Sequence, residues 1–336
     1  MEKEINNSNQ FKVDNKDKEI LRLLNKDARM TSKAIGTQIN SSREVTDYRI
    51  KRLAKSGLIN SYITIINDSV LGFNAYLLLL QLQNYTKEDE ERIIKFLGEH
   101  PFIKWVLKCG GDFDIQTIIV SRNPKELARI IDEIDSFCGK MLRNYNLALV
   151  INLLVPENLD FLLPKKNQEL DLPSSKPVPL ATIDEKDSLL LKHLSTDGRG
   201  SVVKLAQQIG LSADATNKRI RRLKKEGVIK KFQAVVDLSK LNYLLYSVLF
   251  KINNYSSQKE SQIRTFLQSV PNITFAERII GEWDLRVQIS CETPQQLEEI
   301  LQKIRQFLGE DLKYYKFMLM IKEFKRVSFT KGMEKS

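Results

Sequence analysis

Six cations crowd the stretch from Ala213 to Lys225: Lys218, Arg219, Arg221, Arg222, Lys224 and Lys225. Thr216, Ile220 and Leu223 recur there at helical spacing, so the stretch reads as a helix with one packed face. The opposite face suits electrostatic contact with phosphates. Ser212 sits where it would cap the helix. Ala213, Asp214, Asn217 and Lys218 lie near its start, where side chains can reach base edges in the major groove. Arg221, Arg222, Lys224 and Lys225 are placed for phosphates. An earlier stretch carries the same design with more acid. Its outward set is Ser42, Arg43, Asp47, Tyr48, Lys51 and Arg52, with Glu44 and Lys55 alongside. Glu44 and Asp47 lie where phosphate repulsion would be felt, so the two readers are expected to be unequal.

A second constellation could bind a small molecule. Gly111-Asp112-Phe113-Asp114 and Gly281-Glu282-Trp283-Asp284 each fall between two strand-like runs. Glycine permits a tight hairpin and close approach of a ligand. Asp112, Asp114, Glu282 and Asp284 could accept hydrogen bonds from an amino group, so Gly111, Gly281 and these four acids form the candidate effector set.

Other chemistries lack their residues. The chain has two histidines, His100 and His193, and three scattered cysteines, Cys109, Cys138 and Cys291. No CxxC pair, Gly-rich phosphate loop, HExxH, serine elbow or paired-acid signature occurs. No catalytic residue, metal site or cofactor is expected. The net charge of +11 favours a polyanionic partner. No apolar run is long enough to span a bilayer, and Met1 to Asp17 lacks the apolar core of a secretion signal. A cytoplasmic location and no membrane partner are the expectations.

An internal repeat positions these residues. At a fixed offset of 170 residues, Asp14 and Asp17 recur as Asp184 and Asp187, Arg29 as Arg199, and Arg49 as Arg219. Gly57, Gly111, Asp114 and Pro124 recur as Gly227, Gly281, Asp284 and Pro294. Between the copies, Pro156, Pro164, Pro173, Pro177 and Pro179 mark an extended linker. The Leu159, Phe161, Leu162 and Leu163 cluster within it could dock on a domain.

Each copy reads as three helices and then a β-α-β-β-α-β run. The helices carry the grammar of a helix-turn-helix. The later run predicts a ferredoxin-like sheet with helices on one face. Its bare face would be buried against the second sheet, which gives a reason for two copies. The fold class is therefore α+β, a tandem (winged) helix-turn-helix plus ferredoxin-like unit. The expected domains are a tail (1–12), helix-turn-helix domain 1 (13–67), effector domain 1 (68–155) and a linker (156–181). Helix-turn-helix domain 2 (182–237), effector domain 2 (238–326) and a tail (327–336) follow.

The run Ile183-Asp184-Glu185-Lys186-Asp187, Asp197-Gly198-Arg199, Gly210-Leu211-Ser212, Arg219-Ile220-Arg221-Arg222-Leu223 and Gly227-Val228-Ile229 resembles the Lrp/AsnC family of transcriptional regulators. So does Gly281-Glu282-Trp283-Asp284. Arg49-Ile50-Lys51-Arg52-Leu53, Gly57-Leu58-Ile59 and Gly111-Asp112-Phe113-Asp114 match more loosely. The resemblance implies sequence-specific binding to double-stranded DNA, modulated by a small effector such as an amino acid. It also implies dimer-like assembly, either between the two halves of this chain or with a homo-oligomeric partner. Sirohaem decarboxylases of haem biosynthesis resemble this family by fold and supply the enzymatic alternative. They carry a histidine at the turn where this chain has Gly-Asp-Phe-Asp and Gly-Glu-Trp-Asp.

Overall fold

The computed structural model describes residues 12–163 and 179–334. The N-terminal tail up to residue 11, most of the proline-rich linker and the last two residues lie outside the described residues. The first half opens with α1 (Asn15–Lys26), α2 (Ser32–Gln38) and α3 (Arg43–Lys55), followed by β1 (Ile59–Ile66). Its sheet run is β2 (Asn74–Leu82), α4 (Lys87–Glu99), β3 (Ile103–Gly111), β4 (Ile115–Ser121), α5 (Pro124–Cys138) and β5 (Leu142–Val155). The second half repeats this order. Its reader is α6 (Glu185–Thr196), α7 (Val202–Ile209) and α8 (Ala213–Lys225), then β6 (Ile229–Val236). Its sheet run is β7 (Leu244–Ile252), α9 (Ser257–Ser269), β8 (Ile273–Ile280), β9 (Leu285–Cys291), α10 (Pro294–Leu308) and β10 (Leu312–Arg326).

Local chemistry sets the helix ends. Asp14 and Asp184 each form a capping box with the aspartate three residues on. Ser42 and Ser212 accept from the N–H groups of Val45 and Ala215 to start the third helices. The turns before them use the left-handed region, Asn40 at φ 49 and Gly210 at φ 66. Asparagine and glycine are the residues that enter it at least cost.

β1 and β6 join the halves. They pair antiparallel, with Tyr62 opposite Ala234 and Thr64 opposite Phe232. The first helices are exchanged across this ribbon. Leu21 and Leu24 of α1 share a core with Ala234 of β6, while Leu190, Leu191 and Leu194 of α6 share one with Ile66. Two arginines lock the exchange. Arg29 donates to the carbonyls of Gly198 at 2.8 Å and Gly200 at 3.2 Å. Arg199 donates reciprocally to the carbonyls of Ala28 and Met30. Arg29 also lies over the Phe232 ring at 4.6 Å, and Arg199 over Tyr62 at 5.5 Å. Gly198 is required by this approach, since a Cβ there would stand 2.6 Å from the Ile63 carbonyl oxygen.

The expected ferredoxin-like order is present in both sheets. Beyond the expected burial of one sheet by the other, the sheets also join at their edges. The strands run β10-β3-β4-β2-β5-β8-β9-β7 around a closed barrel. Two seams, β5 with β8 and β10 with β3, connect the halves. Closure leaves no open sheet edge in the barrel. α4 and α5 cover one outer face and α9 and α10 the other. The interior holds Leu77, Leu79, Leu107, Leu249, Ile279 and Trp283. The halves therefore pair within one chain.

After each final strand the chain returns to its reader. Leu159, Phe161 and Leu162 enter the core of the first reader. Phe329 and Met333 enter that of the second, and Gly332 N–H donates to the Pro101 carbonyl at 2.8 Å. Residues 327–334, expected as a tail, thus form a packed strap. The repeat carried that signal, because the 170-residue offset places Phe329 opposite Leu159.

Replacing Arg199 with alanine leaves the Ala28 and Met30 carbonyls without their donor. A loss of about 2–3 kcal/mol in urea unfolding is expected. An unchanged midpoint would show that the clasp contributes nothing.

Candidate nucleic-acid interface

The two third helices are held by buried aspartates. Asp17 and Asp187 are fully buried at the starts of α1 and α6. Arg49 reaches Asp14 and Asp17, each at 2.8 Å. Arg219 reaches Asp184 at 2.7 Å and Asp187 at 2.8 Å. Arg52 and Arg222 close the clusters by pairing with Asp17 and Asp187. Burial works against the charge of Asp14 and Asp184. The backbone N–H of the next capping-box residue and the neighbouring guanidinium overcome it, holding both carboxyls below the usual carboxylate range. The same contacts raise the arginines. Stability from Asp14 and Asp184 is therefore complete above the unfolded carboxylate pKa and is lost as pH falls through their lowered values.

This divides the sequence-predicted residues into two groups. Arg52 and Arg222 are half-buried and committed to the aspartates, so they orient the helix. Asp214, Asn217, Lys218, Arg221 and Lys225 are exposed on α8, with Ser212 at its cap and Ala213 half-buried. On α3, Ser42, Arg43, Tyr48 and Lys51 are exposed and Asp47 is half-buried. Lys218 pairs with Asp214 at 2.9 Å and Lys51 with Asp47 at 2.8 Å, both on the surface. Such pairs contribute little and can open. Val45, absent from the predicted set, is 46% exposed in the first turn of α3, and Tyr48 is 67% exposed. A valine in the first turn, off the apolar spacing of Thr46, Ile50 and Leu53, was the available signal. A groove of about 530 Å³ lies beside α3, lined by Thr31, Ser32, Lys33, Arg43, Glu44 and Asp47.

The hairpin residues sit at the seams. Asp114 accepts from Leu82 N–H at 2.7 Å and from the Tyr85 hydroxyl at 3.1 Å. Asp284 accepts from Ile252 N–H at 2.9 Å and from Lys251 at 3.2 Å. Their carboxylates are thus occupied in pinning the hairpin to the neighbouring strand. The glycines make room for the other half. A Cβ on Gly281 would stand 2.9 Å from the Leu147 carbonyl oxygen, and one on Gly111, at φ +133, 3.1 Å from that of Phe317. Asp112 and Glu282 point across the seams. Asp112 meets Lys316 at 3.5 Å, and Glu282 accepts from the Asn146 amide. Among the described residues no cluster of three or more metal-ligating side chains occurs, and no helix is long and apolar enough to cross a membrane.

The third helices, each capped by a serine after a tight turn and each carrying exposed cations, define a helix-turn-helix DNA-binding protein. Residues 183–224 match the AsnC-type helix-turn-helix domain, and residues 13–60 match the winged helix-turn-helix DNA-binding model. The HTH-type transcriptional regulator FL11 of Pyrococcus horikoshii is 32% identical over 133 residues, covering 39% of this chain and 84% of that protein. The HTH-type transcriptional regulator LrpA of Mycobacterium tuberculosis is 27% identical over 123 residues, covering 37% of this chain and 81% of that protein. The sirohaem decarboxylase NirDL is similar in fold, with a TM-score of 0.62 at 13% identity over 94% of both chains. The chain belongs to the Lrp/AsnC family of transcriptional regulators.

Arg222→Ala and Arg221→Ala should separate the two groups of residues. Loss of Arg222 is expected to lower unfolding stability by roughly 1–3 kcal/mol, because buried Asp187 then keeps one guanidinium, that of Arg219, beside its capping-box contact. Loss of Arg221 should change stability by less than about 0.5 kcal/mol. Equal melting of the two variants would contradict the assignment.

Proposed function

We propose that this regulator recognises an asymmetric duplex site through two unequal readers. The carrying observation is the contrast between equivalent positions on the outward faces of the two helices. α8 offers Asn217, Lys218, Arg221 and Lys224 where α3 offers Asp47, Tyr48, Lys51 and Ala54. Amide and cationic groups on α8 favour hydrogen bonds to bases and ion contacts to phosphates. α3 has fewer free cations, two outward acids (Glu44 and Asp47) where α8 has Asp214 alone, and Val45 and Tyr48 for apolar contact with thymine methyls. Fusion of the halves fixes the two readers on one body, suited to neighbouring major grooves roughly 34 Å apart or a multiple of that.

Salt titrations on a footprinted upstream site test this reading. Arg221→Ala should weaken binding about tenfold and reduce the salt slope by about one. Lys51→Ala should cost less on both counts. Equal losses would overturn the asymmetry.

We further infer that a small effector carrying an amino group acts at the seams, through Asp112 and Glu282. These acids stand at the hairpin tips against the other half's closing strand, while Asp114 and Asp284 hold the hairpins in shape. A ligand there would bear on contacts between halves. Calorimetry with a panel of amino acids should find a binder whose affinity falls at least tenfold in the Asp112→Asn, Glu282→Gln double variant. Unchanged affinity would exclude these tips.

The regulator reading is preferred to a decarboxylase. The likeness to NirDL lies in the fold, and its co-complex holds an iron-uroporphyrin analogue. In this chain the barrel interior is packed with Leu77, Leu79, Leu107, Leu249, Ile279 and Trp283, around Gln116, Ser247 and the buried Glu277–Arg286 pair. His100 is buried, with Nε2 on Glu133 at 3.0 Å, and burial lowers its pKa. His193 lies on α6, far in sequence from either hairpin. Neither stands at a hairpin turn to donate a proton there.

A further inference from the structure

The two halves fill the barrel interior with different residues. Four positions show this, each related to its counterpart by the 170-residue offset. The first half contributes Leu77, Leu107, Gln116 and Ala148; the second contributes Ser247, Glu277, Arg286 and Met318. All eight are buried. A change from leucine to glutamate on a solvated face would cost little, but here it places charge between two sheets.

Gln116 ties the unlike halves together. Gln116 Nε2 donates to the Met318 sulfur at 3.4 Å, and Gln116 Oε1 accepts from the Ser247 hydroxyl at 3.1 Å. Both partners belong to the second half. Arg286 pairs with Glu277 of its own half at 2.8 Å. Its guanidinium lies 5.3 Å from the ring of Trp105, across in the first half, and 5.3 Å from that of Phe275. Among the described residues the barrel interior therefore holds one buried charged pair, at positions equivalent to Leu107 and Gln116.

Like halves would not fit. If two first halves paired, leucine and alanine would stand where Ser247 and Met318 stand. Both buried glutamine amides would lose these partners, and the missing methionine volume would leave voids. If two second halves paired, one interior would hold two Glu277–Arg286 pairs and a methionine on each side. That doubles the desolvation and overpacks the seam.

We propose that the barrel interior acts as an address, selecting the unlike half as partner and rejecting a second copy of the like half. The covalent connection supplies proximity. The core supplies discrimination, through unpaired polar groups and misfit in the wrong pairings. The asymmetry of the two readers is preserved by this selection, because every correctly paired barrel carries one reader of each kind.

Three full-length variants test the address. The first places first-half residues on both sides: Ser247→Leu, Glu277→Leu, Arg286→Gln and Met318→Ala. The second places second-half residues on both sides: Leu77→Ser, Leu107→Glu, Gln116→Arg and Ala148→Met. The third carries all eight changes, so the two sets trade places. Thermal melts and size-exclusion with light scattering are read on each. Both like-sided variants should melt lower by roughly 10 °C or more, or aggregate. The eightfold exchange, with twice as many substitutions, should melt within about 5 °C of the parent. The proposal is overturned if the exchange does no better than the like-sided variants. It is equally overturned if either like-sided variant melts with the parent. Neither readout involves DNA, so failure here leaves the regulatory reading standing.

Discussion

Everything in this molecule depends on exchange across the β1–β6 ribbon. A three-helix reader of this size buries little apolar surface by itself, and small units are marginal for that reason. Here α1 completes its core with Ala234 of the opposite strand, and α6 completes its own with Ile66. Each fully buried leucine contributes about 1.5–3 kcal/mol relative to exposure. The Arg29 and Arg199 clasps then fix the register of that exchange, because each guanidinium satisfies carbonyls that would otherwise be half-buried without a donor. Neither reader is an independent bead on a string. Their relative position is set by the same contacts that stabilise them.

A second constraint follows from where the cations are used. Arginine is common on both third helices, yet its positions do different physical work. Arg49, Arg52, Arg219 and Arg222 run back to aspartates at the starts of α1 and α6. Breaking a buried pair costs more than forming it gains, since the abandoned carboxylate stays buried. These contacts therefore specify the angle of the third helix against the first. Arg221, Lys224 and Lys225 lie free of that duty on the exposed face.

Much of this was legible in the sequence, and the reasons for the gaps are physical. The capping aspartates, the glycine and asparagine turns and the apolar spacing of α3 and α8 are local signals, and they place the readers within a residue or two. The order of strands followed from alternation and turn residues. Strand partners did not. Apolar spacing in Ile59–Ile66 tells which side of a strand is buried, but not that its neighbour lies 170 residues away. Arg286 and Gln288 alternate with Leu285, Val287 and Ile289, a pattern that reads as polar residues facing water. Only the second sheet turns that side into an interior. The acids of the hairpins were likewise readable as ligand groups, because sequence gives residue type and turn but not the strand that already occupies Asp114 and Asp284.

The hairpins show how one motif can serve both halves of this assembly. In each, the glycine lets the backbone lie against the other half's last strand: a Cβ at Gly281 would collide with a carbonyl oxygen, and one at Gly111 would be crowded by a carbonyl and strained by its positive φ. The second acid ties the turn to its own sheet through a backbone N–H. The first acid is left at the tip, facing a side chain of the other half. Removing the glycine would force the seam apart, and removing the second acid would loosen the turn that carries the first. The motif is thus a joint before it is anything else. A ligand that engages the tip must alter the contacts by which the two halves, and hence the two readers, are held in register.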